Sequence, residues 1–402
     1  MTAAEQLIIW RRHLHRYPEL SFAEHKTTAY IVEQLAGLPG VTLHTGKETI
    51  GLDTGVLATV GNGESPVIGL RADIDALPIE EKTGADYQSV HRGIMHACGH
   101  DGHTAMLLGA VHRLSELHES GKLKGTVKCL FQPAEETSDE QGLTGAQHIL
   151  ASGILDDVMA MIALHLDPEL PYKQIKLCSG IVMANVDTFS IVISGTGGHG
   201  AYPEQAVDPI WLTSLILPGL YGIPARKIAA LEPAVLSIGR LEAGSSANVI
   251  PSQVRINGTI RTYSIVARGQ MEIALRHVLE SVKAYGGSYE LTMEHGEPAL
   301  KNAPEIVKLL EETVRSVEPE IAIHEQPYGM GSEDFSHLAA QRPGAMLFLG
   351  AGLPQQTALH QPTFDFNEAA LELGTNILVE AGLRLLSGKA LSTIQCGSDW
   401  MA

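Results

Sequence analysis

Six side chains have the types and setting to hold metal and move a proton: Cys98, His100, the adjacent pair Glu135 and Glu136, His165 and His360. Together they offer one thiolate, three imidazoles and two carboxylates, a ligand set for two divalent cations with a base beside it. Cys98 and His100 lie in His96-Ala97-Cys98-Gly99-His100-Asp101-Gly102-His103, and the acids end Phe131-Gln132-Pro133-Ala134-Glu135-Glu136. His165 closes an apolar run, and His360 stands in Leu359-His360-Gln361-Pro362. Mixed nitrogen, sulfur and oxygen donors suit zinc, cobalt or nickel better than magnesium or calcium, with manganese still open.

Not every such side chain is a ligand, because a lone Cys or His is more often core. Cys129 and Cys178 lie in or beside β-rich runs and read as core. Cys98 differs: it is flanked by glycine and two histidines just before a helix start, where the positive helix end and a cation favour the thiolate. His112 and His118 read as solvated helix-face residues, and His96 and His103 can be read either way. Adjacent acids usually mark a solvated turn, but these follow a buried strand, where two chance carboxylates would be costly. Their side chains are expected to diverge, Glu136 as ligand and Glu135 as general base. Asp73, just past a strand, is expected either to orient a ligand imidazole or to cap its loop.

The elements that must position these groups are visible as periodicity. Helical patterns cover 4–16, 22–38 and 102–117, and β-rich runs cover 55–60, 67–71, 126–132 and 158–164. Strands alternating with helices predict a largely parallel sheet covered on both faces, with sites beyond the carboxyl ends of the strands. From residue 183 the pattern changes to strands at 187–194, 234–241, 254–262 and 288–294 around helices at 209–220 and 265–285. That β-α-β-β-α-β order predicts an inserted ferredoxin-like α+β domain over 183–297. The first domain, 1–182, is then resumed over 298–402, with a helix at 304–317, strands near 321–324 and 345–349, and a last helix at 366–386.

Composition narrows the function. A chain of 402 residues is expected to form two domains, and 44% hydrophobic with 5% aromatic residues fits an α/β protein. A net charge of −18 disfavours nucleic acid and anionic membrane as partners, leaving a small molecule; an anionic substrate would need a local cationic pocket. Cys98, Cys129, Cys178 and Cys396 show no framework spacing, which fits a reducing compartment. The apolar stretch 7–10 is cut off by Arg11, Arg12 and His13 before it could form a signal core, and no apolar run approaches the roughly 20 residues of a membrane span, so a cytoplasmic protein is expected.

Over nearly its full length the sequence resembles the dinuclear-metal amidohydrolases that include hippurate hydrolase, bacterial N-acyl-amino-acid deacetylases and plant auxin–amino-acid conjugate hydrolases. The matching segments include His15-Arg16-Tyr17-Pro18-Glu19-Leu20-Ser21, Arg71-Ala72-Asp73-Ile74-Asp75, the runs holding Cys98 and Glu135, Gly197-Gly198-His199, Ala247-Asn248-Val249-Ile250-Pro251, Gly258-Thr259-Ile260-Arg261, Gly331-Ser332-Glu333-Asp334-Phe335 and Leu359-His360. The resemblance implies a zinc-exopeptidase-like catalytic domain with a lid or dimerisation insert, and a homodimer or larger even homo-oligomer. It implies that Cys98, His100, Glu136, His165 and His360 bind two metals while Glu135 activates the attacking water. His199 would stabilise the oxyanion, and Asn248 and Arg261 would hold the substrate carboxylate; read alone, these three could be a turn, a cap and a salt-bridge partner. The Ser332 segment reads as a helix cap. The implied substrate is an N-acetyl or N-benzoyl amino acid, its rivals being N-carbamoyl amino acids and dipeptides. A non-catalytic metal-binding protein would have no need of Glu135. Ala163, where the family often has glycine, and the tail 387–402 depart from the pattern.

Overall fold

The strand Val67–Asp73 is buried at every position, which a strand achieves only inside a sheet covered on both faces. In the computed structural model, which describes residues 2–355 and 358–388, it lies fourth in an eight-stranded sheet. The strand order is Val41–His44, Val56–Val60, Thr126–Gln132, Val67–Asp73, Met161–Pro171, Gly344–Gly352, Gln174–Lys176 and Ala322–His324. The four central strands run parallel, whereas 41–44, 56–60 and 126–132 pair antiparallel, as do 174–176 and 344–352. The sheet is therefore mixed and largely parallel. Strands 41–44 and 174–176 are absent from the sequence expectation because so short a run carries no readable period.

Helices Ala3–Arg16, His100–Glu119, Pro304–Val317 and Ala369–Leu386 contribute apolar faces to the same core as this sheet. The second helix is His25–Leu35, shorter than the 22–38 expected, because Phe22 (φ 64°) and Gly37 (φ 78°) are left-handed and cannot continue it. Among the described residues no helix is long and apolar enough to cross a membrane. Cys396 and the tail from 389 onward lie outside the described residues.

The chain divides into two compact units, one of Met1–Val182, Lys301–Tyr328 and Asp334–Ala402, the other of Met183–Leu300 and Gly329–Glu333. The second unit has strands Asn185–Ser194, Ala234–Ala243, Gln253–Thr262 and Ser288–His295 with helices Pro209–Lys227 and Ile265–Glu280. The sheet order is 234–243, 253–262, 185–194, 288–295, every pair antiparallel, the arrangement of a ferredoxin-like sandwich. Alternation along the two central strands puts Phe189, Ile191, Ile193, Val254, Ile256 and Ile260 inside, facing helix residues such as Leu212, Ile216 and Leu275. Helix 209–227 runs past its expected end at Leu220 and through Pro218 and Pro224, carried by the burial of Leu220 and Ile223. Gly329–Glu333 joins this unit through Tyr263, whose hydroxyl donates to the Gly329 carbonyl (2.9 Å), and Ala184, whose N–H donates to the Gly331 carbonyl (2.9 Å).

Candidate metal centre

Gly99, at φ 96°, turns the chain so that His100 begins a helix. The His100 ring is 1% exposed; Nδ1 donates to the Asp75 carbonyl at 2.9 Å, with the Asp75 carboxylate at 3.3 Å. Nε2 is thereby turned inward, 3.8 Å from both Glu136 Oε1 and Asp73 Oδ2, and neither Nε2 nor Glu136 Oε1 has a hydrogen-bond partner. Burial works against a charged imidazole, yet Asp73, Asp75 and Glu136 overcome it and push the His100 pKa up to about 10.

Cys98, 7% exposed, has Sγ 3.3 Å from His360 Nε2 and 3.6 Å from His165 Nε2. Burial, then Glu136 and Glu135, hold its thiol well above the ordinary range. The helix end expected to favour the thiolate does not outweigh this acidic pocket, so a thiolate here needs a cation beside it. His165 sits within the strand Met161–Pro171, not at the close of a run: the strand extends to Pro171 because it pairs with Gly344–Gly352 past His165. Its Nδ1 donates to the Leu166 carbonyl (2.7 Å), leaving Nε2 toward Cys98. His360 takes a left-handed backbone (φ 60°) and its N–H donates to the Ala97 carbonyl at 2.8 Å, which folds residue 360 back against the Cys98 loop. Its side chain is 51% exposed.

Glu136 N–H donates to Asp75 Oδ2 at 3.0 Å, and Glu136 Oε1 lies 3.4 Å from His360 Nε2. Three overlapping groups result, Cys98/His100/His165, Cys98/Glu136/His360 and His100/Glu135/Glu136, each with its ligand atoms within 4.8 Å of one another. Glu135 and Glu136 thus each bring an oxygen within 4.8 Å of a His100 nitrogen, just after Ala134 at φ 53°. Orphaned buried donors, an excess of acid and a thiol held protonated fit a cationic occupant.

Asp73 is expected from the sequence either to orient a ligand imidazole or to cap its loop; Asp75 is the residue bonded to His100 Nδ1, and Asp73 binds a different imidazole, that of His103. Asp73 Oδ1 accepts from His103 Nδ1 (2.6 Å) and its Oδ2 from Arg71 (2.7 Å). His103 Nε2 accepts the Leu166 N–H (2.9 Å), so both of its nitrogens are committed. His96 is buried and unbonded at both nitrogens. His112 is not a solvated residue: it donates to the Gln34 carbonyl (3.1 Å) and packs on Trp10. His118 is half-buried too, its ring against Gly40. Nor does Ser332 cap a helix. Helix Phe335–Gln341 begins after Asp334, whose buried carboxylate binds Arg71, Gln132 and the Ala146 N–H. Asp75 and Glu24 are residues that sequence reasoning missed, whereas Asp334 lies in the 331–334 segment that the sequence assigns a structural role around the site. The alternation of Asp73 and Asp75 past a strand was the available signal for Asp75.

In the second unit, His199 and Asn248 lie together on the ribbon of Gly198–His199 with Val249–Ile250, where Gly200 N–H donates to the Asn248 carbonyl (2.9 Å). Both side chains are exposed. His199 Nδ1 accepts from Ala201 N–H (3.0 Å), so the neutral ring carries its proton on Nε2. Arg261 is not on that ribbon but in strand 253–262, half-buried, its Nη1 donating to the Met330 carbonyl at 3.0 Å.

A largely parallel-sheet unit with clustered Cys, His and Glu donors and a second glutamate beside them is the build of a metal-dependent hydrolase. The chain belongs to Peptidase family M20/M25/M40, whose sequence profile matches residues 69–384. It is 40% identical to an N-acetyl-L-cysteine deacetylase of Bacillus subtilis (strain 168) over 98% of this chain and 91% of the relative. It is 38% identical to an N-acyl-L-amino acid amidohydrolase of Geobacillus stearothermophilus over 72% of this chain and 76% of the other. Among solved structures, a dinuclear metal binding peptidase of the M20 family from Bacillus subtilis superposes with a TM-score of 0.81 at 34% identity, covering 96% of this chain and 99% of that one.

Proposed function

We propose that this enzyme hydrolyses the amide bond of N-acyl amino acids, releasing a carboxylic acid and a free amino acid. The observation that carries the reading is the grouping of Glu135 and Glu136 with His100, whose Nε2 has no hydrogen-bond partner, beside Cys98. The names of the deacetylase and amidohydrolase relatives support the substrate class. Cys98, His100, Glu136, His165 and His360 would hold two metal ions, a number that the name of the solved relative supports, and their mixed donors suit zinc, cobalt, nickel or manganese. When bound, these supply Lewis acidity to the scissile carbonyl and to water. Glu135 takes the proton of the attacking water and delivers it to the leaving amine. Asp75 orients His100, and Asp73 keeps His103 in the tautomer that accepts the Leu166 N–H. His199, with its proton on Nε2, is assigned as a donor to the developing oxyanion. Asn248 and Arg261 are assigned to the substrate carboxylate.

Exhaustive chelation is expected to abolish turnover, with recovery on adding a divalent ion. A panel of N-acetyl, N-benzoyl, N-succinyl and N-carbamoyl amino acids and dipeptides, assayed with zinc, cobalt, nickel or manganese, tests the substrate class. Active protein free of transition metal by elemental analysis would sink the site assignment, and turnover of carbamoyl or dipeptide substrates alone would reassign the substrate.

We further assign the enzyme to a reducing cytoplasm, which the free thiols Cys98, Cys129 and Cys178 suit. We also expect a homodimer or larger even assembly through the second unit. Its strand Ala234–Ala243 is a sheet edge, and helix 209–227 exposes Trp211 and Leu215 to 48% and 44%. Sedimentation velocity of the active enzyme is the measurement; a fully active monomer would overturn the assembly.

A further inference from the structure

The segment Pro133-Ala134-Glu135-Glu136 decides where both glutamates point, and side chains from elsewhere hold it at two backbone amides. Asp75 takes the Glu136 N–H, and Glu24 Oε1 takes the Ala134 N–H at 2.8 Å. Glu24 stands at the entrance of helix His25–Leu35 without capping it, 110 positions from Ala134 in sequence, and is 0% exposed. Its Oε2 accepts from the Thr54 hydroxyl at 2.8 Å. Burial, then the nearby Asp75, raise its pKa to about 7. Both of these contacts are with neutral donors, and such a setting makes a buried carboxylate expensive to keep.

The surroundings leave this contact little slack. Thr28 Oγ1 accepts the Gly55 N–H (2.8 Å), and a Cβ on Gly55, itself at φ 94°, would stand 2.6 Å from Pro133 Cδ. From the other side, Gly145 N–H donates to the Ala134 carbonyl (2.8 Å), and a Cβ on Gly145 would stand 1.7 Å from the Pro133 oxygen. The Ala134 peptide group is thus held at its N–H and its C=O while its φ of 53° is one that alanine disfavours.

We propose that Glu24 is a positioning residue for the reaction: by binding the Ala134 N–H it holds the left-handed turn that aims Glu135 and Glu136. The proposal rests on the roles given above to these two glutamates. Unlike Asp75, Glu24 has no hydrogen bond to a donor of the metal centre; its side-chain hydrogen bonds are to the Ala134 N–H and the Thr54 hydroxyl, and Glu24→Gln, which removes the charge facing Asp75 but keeps an acceptor, separates the two influences.

Glu24→Ala, Glu24→Asp, Glu24→Gln and Thr54→Val would be compared in metal-loaded enzyme for kcat, KM, bound metal, thermal melting and hydrogen–deuterium exchange. Glu24→Ala and Glu24→Asp are expected to lower kcat by about tenfold or more with KM nearly unchanged, the scale for misplacing a reacting group. Exchange should quicken in residues 131–137 in particular. Glu24→Gln keeps an oxygen for the Ala134 N–H and should restore kcat to within about threefold of wild type. Thr54→Val, the mildest change, should fall between, and decides the matter if Glu24→Ala does not fold. Wild-type kcat and unchanged exchange at 131–137 in Glu24→Asp and Thr54→Val would overturn the proposal. So would a loss of kcat matched by unfolding and by faster exchange along the whole chain. Should Glu135→Gln prove fully active, the catalytic roles fall, while exchange at 131–137 still reports whether Glu24 holds the turn.

Discussion

Glu135→Gln is expected to keep its metal and lose about a hundredfold or more in kcat, the scale for removing a general base. Gln has the shape of Glu but cannot take a proton from water, so the loss falls on chemistry while the donor set stays intact. Glu136→Gln should behave differently. Glu136 Oε1 sits 3.8 Å from His100 Nε2 and 3.4 Å from His360 Nε2, so weakening that oxygen loosens the ion itself. Elemental analysis beside kcat separates the two phenotypes. Wild-type turnover in Glu135→Gln would remove it from the mechanism, and metal loss in Glu135→Gln with retention in Glu136→Gln would exchange the roles.

Arg261→Ala is expected to cut kcat/KM on an N-acyl amino acid by about 2–4 kcal/mol, the scale for leaving a charged partner unpaired. In a chain of net charge −18, a guanidinium is the means of attracting a carboxylate, and gripping it away from the scissile bond also positions the amide, so kcat falls along with affinity. Because Arg261 also donates to the Met330 carbonyl, the substitution frees that backbone too. A substrate analogue with a neutral amide in place of the carboxylate separates the effects. It should be poor for wild type and scarcely affected by the mutation. Equal losses on both substrates would show that Arg261 holds the 329–333 segment instead.

Motif residues close together in sequence were readable, and so was the class of fold. His96–His103 and Phe131–Glu136 each carry their chemistry within a few positions, and the β-α-β-β-α-β order shows in alternation that a half-buried antiparallel sheet requires. What escaped depends on distant pairing. Glu24 is an ordinary acid at a helix entrance until the fold brings Ala134 to it, and Asp334 is a helix-start residue until Arg71 and Gln132 reach it. Strand 161–171 outlasts its apolar run because its neighbour 344–352, far along the chain, extends the ladder past His165. At Cys98, burial and two glutamates hold the thiol up, so of the two influences expected to favour the thiolate the cation is the one that matters.

His360 has a consequence for traffic rather than for chemistry. Its side chain is 51% exposed, whereas those of His100 and Glu136 are 1% and 11% exposed and Cys98 and His165 are buried. An ion would come and go past that imidazole, while the backbone of His360, itself at φ 60°, is bonded through its N–H to the Ala97 carbonyl. The rate of metal exchange would then depend on a single rotamer at the rim, and the strength of binding on that imidazole together with the four donors beneath it.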